Sequence, residues 1–120
     1  MGKRVLIVDD NPDIREILKE FFRLSGWQEI VTAENGLQAI TLVADQEFNL
    51  VVTDWCMPEM DGLELCSWIS VNRKDIPIVF MTGHSVIHAQ QKLAGMSVSV
   101  KKFLAKPFSL EDLDEIIQVQ

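Results

Sequence analysis

Short apolar runs recur along the chain, and each one is followed by a longer stretch in which apolar residues appear at helical spacing. The first run covers residues 5–8 and contains only Val, Leu and Ile, which is typical of a strand buried on both faces of a sheet. Four further strands are predicted, at residues 29–33, 50–53, 77–81 and 100–105.

The stretches that follow these runs carry helix signals. Asn11 can cap the first helix, Pro12 suits its first position, and its apolar stripe ends near Gly26. The later helices are predicted at residues 36–45, after the capping pair Asp61 and Glu64, at residues 86–94 with Gly95 at the end, and after the capping pair Ser109 and Asp112.

Five strands alternating with five helices predict an α/β protein with a doubly wound, five-stranded parallel sheet and right-handed crossovers. The 120 residues suffice for one domain and are too few for a second, so we expect a single domain over residues 1–120. In such a sheet the loops after strands one, three, four and five can converge on one edge.

Composition and charge narrow the function. The net charge of -7 argues against direct binding of nucleic acid and favours a basic partner surface. Cys56 and Cys66 have no spacing suited to a metal site, so we expect free thiols in a reducing compartment. No apolar run resembles a signal peptide or reaches the length of a membrane span. The sequence therefore predicts a soluble, cytoplasmic protein.

Carboxylates end two of the predicted strands. Asp54 follows the third run, and Asp9 and Asp10 follow the first. Carboxylates gathered at one sheet edge raise each other's pKa unless a cation neutralises them. Mg²⁺ prefers oxygen ligands, which suits Asp10 and Asp54 directly and Asp9 either directly or through water. The pattern predicts a Mg²⁺ site and makes Asp54 a candidate nucleophile.

A hydroxyl and a lysine complete the set at this edge, because Thr82 follows the fourth run and Lys106 the fifth. Taken singly, each polar residue also has a structural explanation, such as a helix cap, a turn or a solvated lysine. Together they supply what is needed to phosphorylate a carboxylate and hold the product, since Lys106 adds a point charge and Thr82 a hydrogen bond.

With these features the chain resembles a response regulator receiver domain of two-component signalling, which has a flavodoxin-like (βα)5 fold. The resemblance covers nearly all of residues 5–117. It rests on landmarks that occur in order: Asp9 and Asp10, Asp54 with Pro58 four residues on and Gly62 eight on, Thr82 with Gly83, and Lys106 with Pro107 and Phe108.

The resemblance implies the chemistry of the site. Asp54 would take a phosphoryl group from a histidine kinase, a phosphotransfer protein or a small donor such as acetyl phosphate. The acid pair would help bind Mg²⁺, and the backbone carbonyl of Cys56 would complete the metal site. The peptide bond between Lys106 and Pro107 would be cis. His84 and Cys56 would border the path of hydrolytic water and so tune the phosphoryl lifetime.

The resemblance also implies a switch. The phosphoryl group would draw Thr82 inward, and this shift would be coupled to Phe103, three positions before the lysine. A two-state equilibrium on the face of helix four, strand five and helix five would then change, and a downstream protein would read that face. The chain would catalyse only its own phosphorylation and dephosphorylation, and would be a monomer or a phosphorylation-dependent dimer.

Aromatic residues outside these landmarks have ordinary explanations. Trp27 and Trp68 are expected in or near the core. Trp55 follows Asp54, so we expect it to be partly exposed and its fluorescence to respond to Mg²⁺ or a phosphoryl group. His84 and His88 are expected on the surface.

One segment departs from the family pattern. Residues 96–102, from Met96 to Lys102, are more numerous than receivers usually place before the aromatic of the fifth strand. We expect these residues to extend helix four or to bulge the strand that follows.

Other functions remain open at this stage. The first is a Mg²⁺-dependent phosphatase or phosphotransferase with an aspartyl-phosphate intermediate, although such hydrolases usually carry an acid where this chain has Cys56. A flavin- or nucleotide-binding module is disfavoured because no glycine-rich loop follows the first strand. The sequence names neither a pathway nor a cognate kinase, and it is compatible with a whole protein or a piece of a longer regulator.

Overall fold

Strands and helices alternate throughout the computed structural model, which describes residues 2–83, 85–96, 98 and 100–117. The strands are β1 (Arg4–Val8), β2 (Glu29–Ala33), β3 (Leu50–Asp54), β4 (Ile78–Thr82) and β5 (Lys102–Ala105). The helices are α1 (Pro12–Leu24), α2 (Gly36–Asp45), α3 (Gly62–Asn72), α4 (Val86–Gly95) and α5 (Leu110–Ile117). The strands pair in parallel in the order β2-β1-β3-β4-β5, so the predicted fold class is confirmed.

The sheet separates two hydrophobic cores, and side chains alternate between them along each strand. Leu6 and Val8 of β1 face a core that contains residues of α2, α3 and α4. Val5 and Ile7 face a core that contains residues of α1 and α5. This alternation explains the continuous apolar runs, because both faces of the central strands are covered by helices.

The predicted caps begin the helices. The Asn11 side chain accepts a hydrogen bond of 2.8 Å from the backbone N–H of Asp13, and Asp61 and Glu64 form the reciprocal capping box of α3. At α5 the backbone N–H of Asp112 donates to the Ser109 hydroxyl at 3.1 Å. Each bond satisfies a backbone group that the first turn of a helix leaves without a partner.

The segment of residues 96–102 differs from its prediction. Helix α4 ends at Gly95, so it is not extended, and β5 begins at Lys102 rather than at residue 100 and pairs with β4 residue for residue, without a bulge. Val98 and Val100 pack against the core from a loop. Their apolar character is explained by this packing and does not require a strand. Residues 97 and 99 lie outside the described residues.

Trp27 and Trp68 lie as expected, because Trp27 is 4% exposed and the half-buried Trp68 of α3 packs against the core. Within the described ranges, no helix combines the length with the apolar character that crossing a membrane requires.

Candidate phosphoryl-transfer site

The carboxyl ends of β1, β3, β4 and β5 meet at one edge of the sheet. Asp54 is the last residue of β3 and lies beside Met81 in the parallel ladder, while Thr82 lies beside Ala105. The backbone N–H of Lys106 donates to the Thr82 carbonyl at 2.8 Å. The register thus brings Asp54, Thr82 and Lys106 to the same level of the sheet, next to the acid pair that follows β1.

Three carboxylates form a cluster at this edge. Asp9, Asp10 and Asp54 each offer an oxygen, and these oxygens lie within 4.8 Å of one another. Asp9 is completely buried, Asp54 is 7% exposed, and Asp10 is exposed. Since two opposite ligands of Mg²⁺ lie about 4.2 Å apart, this all-oxygen cluster has the dimensions and the donor type for a small divalent cation.

Lys106 holds two of the acids. Its Nζ lies 2.7 Å from Oδ2 of Asp9 and 3.1 Å from Oδ1 of Asp54. The other oxygen of Asp9, Oδ1, accepts a hydrogen bond of 2.9 Å from the backbone N–H of Asn11. The buried Asp9 carboxylate is therefore fixed at both oxygens, and the ammonium group lies between Asp9 and the candidate nucleophile.

Burial and charge act against each other at Asp54. Burial, followed by the nearby charge of Asp9, raises the pKa of Asp54, while Lys106 and the backbone N–H of Trp55 act to lower it. For Lys106, burial alone would lower the pKa, but the hydrogen bond to Asp9 and the charges of Asp54 and Asp9 outweigh it and raise the pKa. The raised pKa keeps Lys106 protonated at neutral pH.

The loop from β3 to α3 depends on a glycine. The backbone N–H of Gly62 donates to the Trp55 carbonyl at 2.8 Å, and a Cβ atom at residue 62 would lie only 2.1 Å from the carbonyl oxygen of Asp54. This close approach explains why a glycine stands eight residues after the acid. Pro58, the other landmark of the loop, is exposed.

Cys56 lies in the same loop, and its side chain is exposed. Burial, and then the charges of Asp54, Asp61 and Asp10, raise the pKa of the thiol. These effects keep the thiol protonated at neutral pH.

The predicted switch residues lie on neighbouring strands. Thr82 is completely buried, and Phe103 is half-buried on β5. The Phe103 ring contacts Phe80 edge to face, with 6.1 Å between the ring centroids. The peptide bond between Lys106 and Pro107 is cis. His84 lies outside the described residues.

Sequence reasoning missed two features of this edge. The half-buried Trp55 ring contacts both Phe80, at 5.8 Å, and His88 of α4, at 5.6 Å. Trp55, Cys56, Ser85 and His88 also line an open concavity of about 470 Å³. His88 is exposed, as predicted. Its contact with Trp55 depends on how α4 is rotated over the sheet, and the spacing of apolar residues leaves that rotation too loosely defined.

Arg15 was also missed. Its Nη1 donates to the backbone carbonyl of Asp9 at 2.7 Å. The signal was the position of an arginine in the early part of α1, where side chains point back towards the loop before the helix.

A doubly wound parallel sheet with an acid cluster and a lysine at its carboxyl edge defines the receiver class of signalling domains. The chain belongs to the response regulator receiver domain family, which it matches over residues 5–118. Receiver domains are phosphorylation-based switches of two-component systems. They take phosphoryl groups from histidine kinases and act on downstream partners. This membership disfavours the aspartyl-phosphate phosphatase or phosphotransferase.

Individual relatives agree with this assignment. The response regulator MprA of Mycobacterium sp. (strain KMS) is 34% identical over 113 residues, which are 94% of this chain and 48% of the relative. The MprA of Mycobacterium tuberculosis (strain H37Ra) is 32% identical over the same length. The chain thus spans about half the length of these curated relatives.

Solved structures agree as well. The response regulator TrrA from Thermotoga maritima, in complex with Mg²⁺-BeF, is 36% identical with a TM-score of 0.85 and covers 97% of this chain and 96% of its own. The chemotaxis response regulator CheY4 of Vibrio cholerae is 28% identical with a TM-score of 0.88, and the match covers 98% of both chains.

Proposed function

We propose that Asp54 is the phosphoryl acceptor of this receiver domain and that Mg²⁺ is its cofactor. The observation that carries the proposal is the position of the Lys106 ammonium between the buried Asp9 and Asp54, at 2.7 and 3.1 Å. A lysine between two carboxylates at the end of a parallel sheet is suited to a reaction that adds negative charge there. The TrrA structure with Mg²⁺-BeF supports the choice of metal.

Each residue of the cluster has a distinct part. Asp9, Asp10, Asp54 and the backbone carbonyl of Cys56 would hold Mg²⁺, which when bound offsets the charge of the phosphoryl oxygens. A carboxylate oxygen of Asp54 attacks the phosphorus atom, and the bond from phosphorus to the donor breaks. The donor's leaving atom, an imidazole nitrogen of a histidine kinase or an oxygen of acetyl phosphate, keeps the electron pair. Lys106 and Thr82 then donate hydrogen bonds to the new phosphoryl oxygens.

The signal passes from this site to a partner. Thr82 turns towards the phosphoryl group, and Phe103 follows, so the face made by α4, β5 and α5 changes and is read by a downstream protein. The chain catalyses only the gain and loss of its own phosphoryl group, and residues at the Cys56 and His84 positions tune its lifetime. Residues 1–120 act as one domain, and the free cysteines suit a cytoplasmic setting.

An intact-mass measurement after incubation with Mg²⁺ and acetyl phosphate tests the proposal. One added phosphoryl group is expected on the wild type and none on Asp54→Asn. Asp45→Asn is the matched control, because it makes the same change on the exposed end of α2. An adduct that persists in Asp54→Asn would remove Asp54 from its role. Sustained hydrolysis of the donor without any adduct would favour the hydrolase.

A further inference from the structure

We propose that Arg15 is a positioning residue for the acid pair Asp9 and Asp10. By holding the backbone of Asp9, Arg15 orients the Asp10 side chain towards the metal. The proposal rests on the metal-binding role proposed for Asp9 and Asp10. Its basis is the hydrogen bond of 2.7 Å from Nη1 of Arg15 to the backbone carbonyl of Asp9.

Asp9 is held at every polar group. Its backbone N–H donates to the Ala33 carbonyl at 3.2 Å, and its two carboxylate oxygens accept from Asn11 and Lys106. The bond from Arg15 to the carbonyl oxygen differs from these three in what it fixes. That oxygen belongs to the planar peptide unit that carries the Cα atom of Asp10, so the guanidinium sets the plane from which Asp10 projects.

Asp10 needs such support because it is exposed. Within the described residues, no basic side chain forms an ion pair with its carboxylate, whereas Lys106 binds both Asp9 and Asp54. The direction of the Asp10 side chain therefore depends on its backbone more than that of the other two acids.

The location of Arg15 on α1 agrees with this role. Arg15 is the fourth residue of the helix, near its N-terminus, where the helix dipole disfavours a cation. Helix stability therefore does not explain an arginine here. A side chain on a helix is inclined towards the N-terminus, and this direction lets the half-buried Arg15 reach back to the end of β1.

The direction in which Mg²⁺ affinity changes on mutation of Arg15 distinguishes a positioning role from a purely electrostatic effect. Arg15→Met keeps the length of the side chain but removes its donors and its charge. Removal of a positive charge near a cation site would by itself strengthen Mg²⁺ binding. Loss of positioning would weaken it. For partners that orient metal ligands, the loss in affinity is about tenfold or more.

The experiment is a Mg²⁺ titration of the unphosphorylated protein followed by NMR chemical shifts. We expect the dissociation constant to rise about tenfold in Arg15→Met and less in Arg15→Lys, which keeps one donor group. Arg23→Met is the matched control, because Arg23 lies in the last turn of the same helix and pairs with Glu20. It should bind Mg²⁺ like the wild type.

Urea unfolding in EDTA measures the free energy of unfolding of each variant without Mg²⁺, so that a loss of metal affinity can be distinguished from a loss of fold stability. A dissociation constant for Arg15→Met within twofold of the wild type, or lower than it, would overturn the proposal. So would a rise that Arg23→Met shares. Asp10→Asn separates this inference from the proposed function: it should abolish tight Mg²⁺ binding, and if it does not, the assignment of the metal ligands fails first and the role of Arg15 fails with it.

Discussion

Replacing Gly62 with alanine tests the contact on which the loop after the phosphoryl acceptor depends. The added Cβ atom would lie 2.1 Å from the Asp54 carbonyl oxygen and 3.0 Å from the Cα atom of Trp55. Both neighbours are backbone atoms, so no side chain can rotate away. The first contact is about 1.3 Å shorter than the 3.4 Å at which ordinary van der Waals contact begins.

The expected cost follows from this geometry. Overpacking of this kind costs about 1–3 kcal/mol, and moving α3 away would also weaken the hydrogen bond of 2.8 Å from Gly62 to the Trp55 carbonyl, which contributes about 1 kcal/mol. Gly62 is not among the described residues with positive φ, so alanine adds no backbone strain. We expect the free energy of unfolding to fall by about 2–4 kcal/mol.

Urea denaturation followed by circular dichroism measures this difference, with Gly95→Ala as the matched control. Gly95 also lies at a helix end, and a Cβ atom there meets nothing within 4 Å. Alanine should therefore stabilise the protein by about 0.4–1 kcal/mol by restricting the unfolded chain. If Gly62→Ala unfolds within about 0.5 kcal/mol of the wild type, the close approach of α3 to the Asp54 backbone is refuted.

Three further predictions concern charge and fluorescence. In EDTA, Asp54→Asn should raise the free energy of unfolding at pH 7 by about 0.5–2 kcal/mol. The folded state raises the pKa of Asp54, so the gain in stability should vanish as the pH falls below the ordinary value of 3.8. Urea titrations at several pH values measure this gain. A gain that does not depend on pH would show that the charge of Asp54 is not its cause. Arg73→Met should lower the free energy of unfolding by about 2–4 kcal/mol, measured by thermal or urea denaturation, because the half-buried guanidinium donates to two backbone carbonyls before β3. Lys74→Met is the control, since Lys74 is exposed and its loss should change the free energy of unfolding by no more than about 0.5 kcal/mol. Trp55 fluorescence should change on saturation with Mg²⁺ and should not change in Asp10→Asn, because Trp55 directly follows Asp54 in the chain. An unaltered spectrum of the wild type would contradict the expectation that the ring responds to the metal.

The main elements of the site could be predicted from the sequence, because every residue that directly follows a strand of a parallel sheet lies at the same edge of that sheet. Asp54 ends the buried strand β3 and Lys106 follows the edge strand β5, and the carboxyl ends of parallel strands meet at one edge of the sheet. This reasoning needs no knowledge of side-chain direction. The residues it misses, Arg15 and His88, act through long or planar side chains on helices, and their contacts depend on helix rotation.

The segment before β5 shows a second limit. Val98 and Val100 alternate with polar residues, which is typical of a strand, but they pack against the core from a loop. The start of β5 is set by its neighbour instead. The backbone N–H of Lys101 donates to the carbonyl of Ile78 at 2.9 Å, and Ile78 is the first residue of β4. Within the part of the chain that the structure describes, the residues just before Lys101 therefore have no strand beside them with which to pair.

The pairing of Lys106 with Asp9 joins residues 97 positions apart. It closes the site only after β5, the shortest strand and an edge strand of the sheet, has docked on β4. During synthesis the three acids emerge before the lysine that contacts two of them. In the finished protein, a brief detachment of β5 would remove the lysine while the rest of the sheet stays folded. Under the function proposed for Asp54, such a detachment is expected to withdraw a hydrogen-bond donor from the phosphoryl group without unfolding the other four strands.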